Sequence, residues 1–171
     1  ILDFVRQLAD NPSIHYNEDV FRSERETADL NRALAYFLKY HNVIDEQVES
    51  VLEVYFKQCA IEISCHDLAR IGAVLANGGR DLMTQESLIP DPIAKICKTF
   101  MVTCGMYNAS GEFAIRVGIP AKSGVAGGIL ATVPHRMGIG VYSPALDEKG
   151  NSLAGVKLLE AFAQANRLSI F

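Results

Sequence analysis

Several patterns that would assign this sequence to a particular class of protein are absent from it. No run of apolar residues approaches the roughly 18 that span a membrane, so we predict no membrane partner. No cluster of Lys and Arg is present and the formal net charge is −4, which argues against nucleic-acid binding. No export signal is visible. What is left is typical of a globular protein, with 49% hydrophobic and 21% charged residues.

The cysteines also lack a recognisable pattern. Cys59, Cys65, Cys97 and Cys104 match no zinc-ligand spacing. Cys59 and Cys65 lie among apolar, helix-forming neighbours, so we predict buried free thiols in a reducing cytoplasm. A cysteine nucleophile is the weaker alternative, because no histidine is spaced to activate one locally. We therefore expect a cytoplasmic protein without a metal site.

The first part of the chain has helical periodicity. It begins Ile-Leu-Asp-Phe, without an initiator methionine, and we interpret it as a piece of a longer protein. Ser23 and Glu26 have capping-box spacing at the start of one predicted helix, which would place Glu24 and Asn31 on one face, two turns apart. Apolar stripes predict helices over 3–9, 24–40, about 46–59, 65–76 and 92–101.

The spacing of apolar residues changes from a helical to a strand-like periodicity after about residue 103. Polar and apolar residues alternate over 112–117, and further strand patterns follow over 125–133 and 137–142. Because strands joined so tightly must be antiparallel, we predict a three-stranded meander closed by a C-terminal helix over 153–166. The fold class is therefore α+β. We expect one domain over 1–171, with a helical part over about 1–103 and the sheet and terminal helix over about 104–171.

The stretch 118–128 stands out within that second part. It holds four glycines, Lys122 and Ser123 among small apolar residues. Glycine at this density indicates unusual backbone angles or a close approach of another group. An unpaired lysine is costly to bury. A small-molecule site beside a strand edge is one interpretation, and a glycine-rich turn with a solvent-facing lysine is the other.

Several further polar residues are not needed by a helix-and-sheet scaffold. Glu24 and Asn31 could hold a ligand ammonium and a polar group, or could be a helix-start charge and a surface amide. Tyr107, in a predicted loop before a strand, could present its hydroxyl to a cleft or could simply pack. Tyr55 lies on an apolar helical stripe, where core packing is the default.

Six segments of the chain, in order, resemble the serine-dependent glutaminases. They are Ser-Glu-Arg-Glu-Thr-Ala-Asp-Leu-Asn (23–31), Tyr-Phe-Lys-Gln-Cys-Ala-Ile-Glu-Ile-Ser-Cys (55–65), Leu-Ala-Asn-Gly-Gly (75–79), Cys-Gly-Met-Tyr-Asn-Ala-Ser-Gly (104–111), Gly-Ile-Pro-Ala-Lys-Ser-Gly-Val-Ala-Gly-Gly (118–128) and Tyr-Ser-Pro-Ala-Leu-Asp-Glu-Lys-Gly-Asn-Ser (142–152). The resemblance covers nearly the whole chain.

This resemblance implies a serine β-lactamase-like fold, in which the run 122–124 is similar to the Lys-Thr/Ser-Gly strand of that superfamily. It implies hydrolysis of L-glutamine to L-glutamate and ammonia through a glutamyl-serine ester, by a homo-oligomer without a cofactor. Glu24, Asn31 and Tyr55 would then bind the substrate. The physics agrees, because the ammonium of glutamine favours a carboxylate and its α-carboxylate favours neutral donors.

The resemblance also implies roles at the reacting amide. The backbone N–H of Val125 would contact the substrate and contribute to an oxyanion hole, an effect of about 3 kcal/mol per donor. Tyr107 would contact the substrate and relay a proton to or from the nucleophile or the leaving ammonia. Lys122 would add positive potential as a supporting charge.

One element of the family pattern is missing. No serine of this chain is followed three residues later by lysine, so the S-x-x-K nucleophile is absent from the 171 residues. We expect it upstream, with a further substrate-binding Asn, which would make this chain roughly the C-terminal half of a glutaminase. Two alternatives are a penicillin-binding or β-lactamase-like hydrolase, against which the segments 104–107 and 23–26 argue, and a non-catalytic glutamine- or glutamate-binding module.

The missing motif predicts that the purified 171-residue chain releases no ammonia from L-glutamine. A coupled glutamate assay checks this, with a complete serine-dependent glutaminase as the positive control. Sustained glutamate formation above the rate in buffer would show that the nucleophile is present after all.

Overall fold

The computed structural model describes all residues from 1 to 171 and contains two compact units. Unit 1 comprises residues 1–6 and 12–63, and unit 2 comprises residues 7–11 and 64–171. No helix combines the length and apolar character that crossing a membrane requires. The elements are α1 (Leu2–Ala9), β1 (His15–Tyr16), α2 (Glu18–Glu26), α3 (Asp29–Tyr40), α4 (Val48–Cys59), β2 (Ile61–Glu62), α5 (Cys65–Ala76), α6 (Asp91–Cys104), α7 (Ser110–Arg116), β3 (Ala121–Ser123), β4 (Gly128–Val133), β5 (Met137–Tyr142) and α8 (Leu153–Asn166).

The predicted α+β class is confirmed, and the assignment of the chain to a single domain stays a prediction. In unit 1, helices α2, α3 and α4 enclose a small apolar core that includes Phe21, Ala35 and Phe56. Strands β1 and β2 pair antiparallel beside it. Helix α2 is capped at its N-terminus by Asn17, whose side-chain oxygen accepts the N–H groups of the second and third residues after it at 2.9 and 3.0 Å.

The prediction of one helix over 24–40 is wrong. Ser23 lies inside α2, where its carbonyl accepts both the N–H (3.0 Å) and the hydroxyl (2.8 Å) of Thr27. The chain then turns at the buried Ala28 and starts α3, so Ser23 caps no helix. Because Ala28 turns into the core of unit 1 beside Phe21, the helix ends where the periodicity alone predicted that it continues. Glu24 and Asn31 therefore lie on different helices.

Unit 2 is built on the antiparallel sheet of β3, β4 and β5, in that order. Along β4, Ile129, Ala131 and Val133 face a core that they share with Phe113 and Leu159, from α7 and α8. Leu130, between them, packs instead with side chains of α5 and α6. The alternation of a strand thus buries both faces of β4, and helices cover the sheet on either side.

The predicted strand over 112–117 is wrong, because residues 112–116 belong to α7 and Val117 is its C-cap. The segment fits both periods: Phe113 and Val117 are four apart and buried, and Glu112 pairs with Arg116 one turn later at 3.0 Å. Ile115 distinguishes a helix from a strand. A strand would bury it on the same face as Phe113 and Val117, yet it is 88% exposed. The first strand of the meander is β3, the second begins at residue 128 rather than 125, and the third is confirmed over its predicted range.

Two glycines let β5 lie directly on the backbone of α5. A Cβ atom on Gly138 would stand 2.0 Å from the carbonyl oxygen of Ala69 and 2.1 Å from the amide nitrogen of Ala73. One on Gly140 would stand 2.1 Å from the carbonyl oxygen of Cys65. Neither helix nor strand backbone can yield to such a contact, so the packing of the sheet on α5 requires glycine at both positions.

We therefore expect Gly138→Ala to destabilise the chain by about 3 kcal/mol, as overpacking against backbone does. Gly111→Ala is the matched control, because no atom lies within 4 Å of a Cβ atom at that position of α7. The control should be neutral or stabilising by up to about 1 kcal/mol, since alanine favours helix. Urea unfolding followed by circular dichroism measures both variants, and equal midpoints would contradict the steric explanation.

Candidate active site

The conformation of the turn between β3 and β4 depends on its glycines. The Gly124 N–H donates to the carbonyl of Gly128 and the Gly127 N–H donates to the carbonyl of Gly124, both at 2.9 Å. Gly127 has a φ of 97°, and a Cβ atom there would stand 2.3 Å from the carbonyl oxygen of Ser143. Val125 occupies the tip, 69% exposed, and its backbone N–H donates to no group of the chain. That N–H is available to a ligand.

Strand β3 presents its charged residue on the side away from the core. Ala121 and Ser123 are buried, whereas Lys122 between them is exposed. The Nζ atom of Lys122 lies 4.6 Å from the centre of the Tyr107 ring and donates to the carbonyl of Ser123. The Tyr107 hydroxyl donates to the same carbonyl at 3.2 Å. Tyr107 and Lys122 thus converge on one point of β3.

Lys122 has no carboxylate partner within the chain. Partial burial of its ammonium lowers the pKa of Lys122, and the nearby Cys104 opposes this shift. A cation in contact with an aromatic face is retained there by the ring quadrupole rather than by a salt bridge. Its positive field is therefore not neutralised locally and can act on a bound negative charge.

Tyr107 lies in a strained conformation. We predicted it in a loop before a strand, but it opens a single 3₁₀ turn, Tyr107–Ala109, that leads into α7. Its φ of 51° is in the left-handed region, which costs a residue with a Cβ atom about 1–2 kcal/mol. The Ser110 hydroxyl offsets this cost: it accepts the Met106 N–H at 3.0 Å and donates to the Tyr107 carbonyl at 2.8 Å.

Unit 1 carries the other predicted site residues. Glu24 is on α2, Asn31 is in the first turn of α3, and Tyr55 is on α4. Tyr55 is 45% exposed, and the core position on α4 is taken by its neighbour Phe56. The default interpretation of Tyr55 as a core residue is therefore wrong.

Cys59 brings two of these residues together. Although Cys59 is exposed overall, partial desolvation raises the pKa of its thiol, a hydrogen bond with Tyr55 lowers it, and the negative charge of Glu24 raises it. Tyr55 therefore lies beside this thiol, and Glu24 is near enough for its charge to act on it. Asn31 makes no hydrogen bond to either of them. Sequence reasoning missed Cys59 at this place, although its position four residues after Tyr55 puts both on one face of α4.

The predicted burial of the cysteines is wrong for most of them. Cys59, Cys65 and Cys104 are exposed, and Cys97 is intermediate. The three exposed thiols lie at the first or last residue of a helix, where an apolar neighbourhood in sequence does not imply a buried position. No group of three or more His, Cys, Asp or Glu side chains is placed to hold a metal ion.

The fold of this chain recurs in solved glutaminase structures. A Bacillus subtilis glutaminase, YbgJ, in covalent complex with 5-oxo-L-norleucine is 50% identical, with a TM-score of 0.96 over 99% of this chain and 60% of that one. A Bacillus glutaminase crystallised in 4.3 M NaCl is 51% identical, with a TM-score of 0.95 over 99% of this chain and 58% of that one. This agreement supports the predicted β-lactamase-like fold.

Sequence comparison gives the same result over the whole chain. A model of the Glutaminase family matches residues 1–171. The glutaminase of Geobacillus kaustophilus is 67% identical over 100% of this chain and 56% of its own length, and glutaminase 1 of Halalkalibacterium halodurans is 64% identical with the same coverage. The chain belongs to the Glutaminase family. It spans a little over half the length of the curated relatives that it matches.

The environment of Lys122 predicts a measurable difference between lysines. Because burial lowers its pKa while a hydrogen bond from Lys57 to Glu53 raises the pKa of Lys57, Lys122 should lose its proton at lower pH than Lys57. NMR titration of ¹³Cε-labelled lysines measures both midpoints, with Lys122→Arg and Lys57→Arg to assign the signals. A midpoint for Lys122 at or above that of Lys57 would contradict the partial burial of its ammonium.

Proposed function

We propose that the protein containing this chain hydrolyses L-glutamine to L-glutamate and ammonia through a glutamyl-serine ester. The observation that carries this proposal is the match to the Glutaminase family over the full length of the chain. The geometry of unit 2 supports it, because a free N–H at Val125 lies in the turn that follows Lys122, and Tyr107 contacts that lysine. These are the kinds of groups that acyl transfer from an amide requires.

The serine of the proposed ester is not assigned to any residue of this chain. None of its serines has the S-x-x-K spacing, and the chain matches 56% of the Geobacillus relative. We place the nucleophile and its lysine in the part of the relatives that this chain does not match. The Bacillus subtilis relative was captured after reaction with 6-diazo-5-oxo-L-norleucine, a compound with which the proposed nucleophile can be labelled.

Glu24 is proposed to bind the substrate ammonium. Tyr55 and Asn31 are proposed to donate hydrogen bonds to the substrate α-carboxylate, since neither residue carries a charge that would repel it. The hydrogen bond of Tyr55 with the Cys59 thiol, together with the electrostatic effect of Glu24 on that thiol, supports roles on one ligand for these two residues. The role of Asn31 rests on the resemblance of the segment 23–31 alone.

The remaining residues are proposed to act during the reaction. As the serine oxygen attacks the amide carbon, the carbonyl oxygen gains negative charge, and the Val125 N–H donates to it. The serine proton passes to the amide nitrogen, which leaves as ammonia, and Tyr107 relays that proton through its hydroxyl. Water then hydrolyses the ester. Lys122 adds a positive field that favours the developing charge.

Cellular context is part of the same proposal. We propose a cytoplasmic homo-oligomer. The cytoplasmic placement is supported by four cysteines that form no disulfide, and the oligomer is supported by the resemblance described for the sequence.

The role of Glu24 is testable in a chimera, defined as the Geobacillus kaustophilus glutaminase with its matching segment replaced by these 171 residues. We expect Glu24→Ala to lower kcat/KM for glutamine about 30- to 100-fold, which corresponds to losing one charge-assisted hydrogen bond. Ammonia release measures the change.

Glu26→Ala is the matched control, because it removes an exposed carboxylate from the end of the same helix. It should leave kcat/KM within about twofold, as surface substitutions do. Unaltered ammonia release in Glu24→Ala would contradict the ammonium-binding role. An unmodified chimera that is neither active nor labelled by 6-diazo-5-oxo-L-norleucine would contradict the proposed function itself.

A further inference from the structure

The loop that precedes α8 is organised by one carboxylate. Asp147 Oδ1 accepts the N–H groups of Lys149 and Asn151, each at 2.9 Å. The Asp147 N–H donates to the Asn151 carbonyl at 2.8 Å, and the Gly150 N–H donates back to the Asp147 carbonyl at 3.0 Å. These four bonds close residues 147–151 into a compact loop, which we call the Asp147 loop. Its shape is set without any contribution from the Asn151 side chain.

That side chain is used elsewhere. Asn151 is fully buried, and its Nδ2 atom donates to the carbonyl of Met106 at 3.2 Å. Only the amide nitrogen can face a carbonyl oxygen, which fixes the orientation of the group. Its Oδ1 atom is buried and has no hydrogen-bond partner. A buried acceptor without a partner is unfavourable for stability. The orientation that lets Nδ2 bind the Met106 carbonyl therefore leaves the Oδ1 atom of Asn151 unsatisfied.

Met106 is the residue before the strained Tyr107. The peptide that joins them has its carbonyl held by Asn151, and the Ser110 hydroxyl binds both the Met106 N–H and the Tyr107 carbonyl. Gly150 lies beside the ring, since a Cβ atom added there would be 3.7 Å from Cε2 of Tyr107. The backbone on both sides of Tyr107 is thus anchored by two buried side chains, Asn151 and Ser110.

We propose that Asn151 and Ser110 are positioning residues that hold Tyr107 in its left-handed conformation, and thereby aim its hydroxyl at the reacting groups. This inference rests on the proposed function, in which that hydroxyl relays a proton. A left-handed backbone at a tyrosine relaxes when its anchors are removed, because the αR and β regions are lower in energy. The ring would then swing away from β3 and the hydroxyl with it.

A double-mutant cycle in the chimera tests the inference through kcat rather than through folding alone. We expect Asn151→Ala to lower kcat about tenfold, with KM for glutamine changed less than about threefold. In a Tyr107→Phe background, the same substitution should lower kcat less than about twofold, because the hydroxyl that it positions is already gone. Loss of the same factor in both backgrounds would overturn the proposal.

Ser110 gives an independent arm in case the Asn151 variant fails to fold. Ser110→Ala should lower kcat in the same way, and Ser110→Thr should restore most of it, because threonine keeps the hydroxyl. If Ser110→Thr unfolds at the same temperature as the unmodified chimera and still does not restore kcat, that result contradicts the proposal. Asn166→Ala is the matched control, since it removes another asparagine amide that donates to a backbone carbonyl, that of Phe162 at 2.9 Å.

The outcomes separate the two proposals. Suppose that the chimera is active and that Asn151→Ala lowers kcat by the same factor in the unmodified and the Tyr107→Phe backgrounds. That result agrees with the proposed function and contradicts the positioning role. An unmodified chimera that is neither active nor labelled by 6-diazo-5-oxo-L-norleucine removes both. A kcat loss confined to the background that has the Tyr107 hydroxyl, with Asn166→Ala unchanged, supports the positioning role.

Discussion

The hydrogen bond between the Ser123 N–H and the Gly105 carbonyl, 2.9 Å long, is the contact on which the arrangement of unit 2 depends. It joins the end of α6 to β3 by backbone alone. A Cβ atom on Gly105 would stand 1.9 Å from the carbonyl oxygen of Ala121, so only glycine permits this approach. Tyr107, two residues further on, is thereby brought to the Ser123 carbonyl and to Lys122.

The distribution of charge in unit 2 follows a consistent pattern. Glu112 pairs with both Arg116 and Lys149, and Arg116 also pairs with Glu160. The hydrogen bonds that Lys149 and Arg116 donate to Glu112 lower the pKa of its carboxyl group, and the hydrogen bonds that Arg116 donates to Glu160 and Glu112 raise the pKa of Arg116. These charges compensate each other at the surface. Lys122 has no such compensation, which suits a group whose field is directed at a ligand.

Part of the candidate site was predictable from residue type and spacing. Lys122 and the glycines around it indicated a turn with unusual backbone angles, and the structure places glycine at positive φ at residues 118 and 127. The anchoring of Tyr107 was not predictable from the sequence. Ser110 is only three residues further along the chain, but all three strands of the sheet lie between Tyr107 and Asn151 in the sequence. A contact between residues so far apart in sequence depends on how α7 and the Asp147 loop pack together.

The sequence by itself determined the family, the α+β class and the helices with clear caps, such as α5, where Ser64 and Asp67 form a capping box. These features are local, or are carried by long ordered motifs. Only the tertiary structure decided whether residues 112–117 are a helix or a strand and where the helix after Glu24 ends. Residues 112–117 fit the periodicity of a helix and of a strand, and the residues after Glu24 fit one long helix or two shorter ones. The choice between them was made by which side chains found a core: Ile115 stays outside the core that buries Phe113 and Val117, and Ala28 enters the core of unit 1.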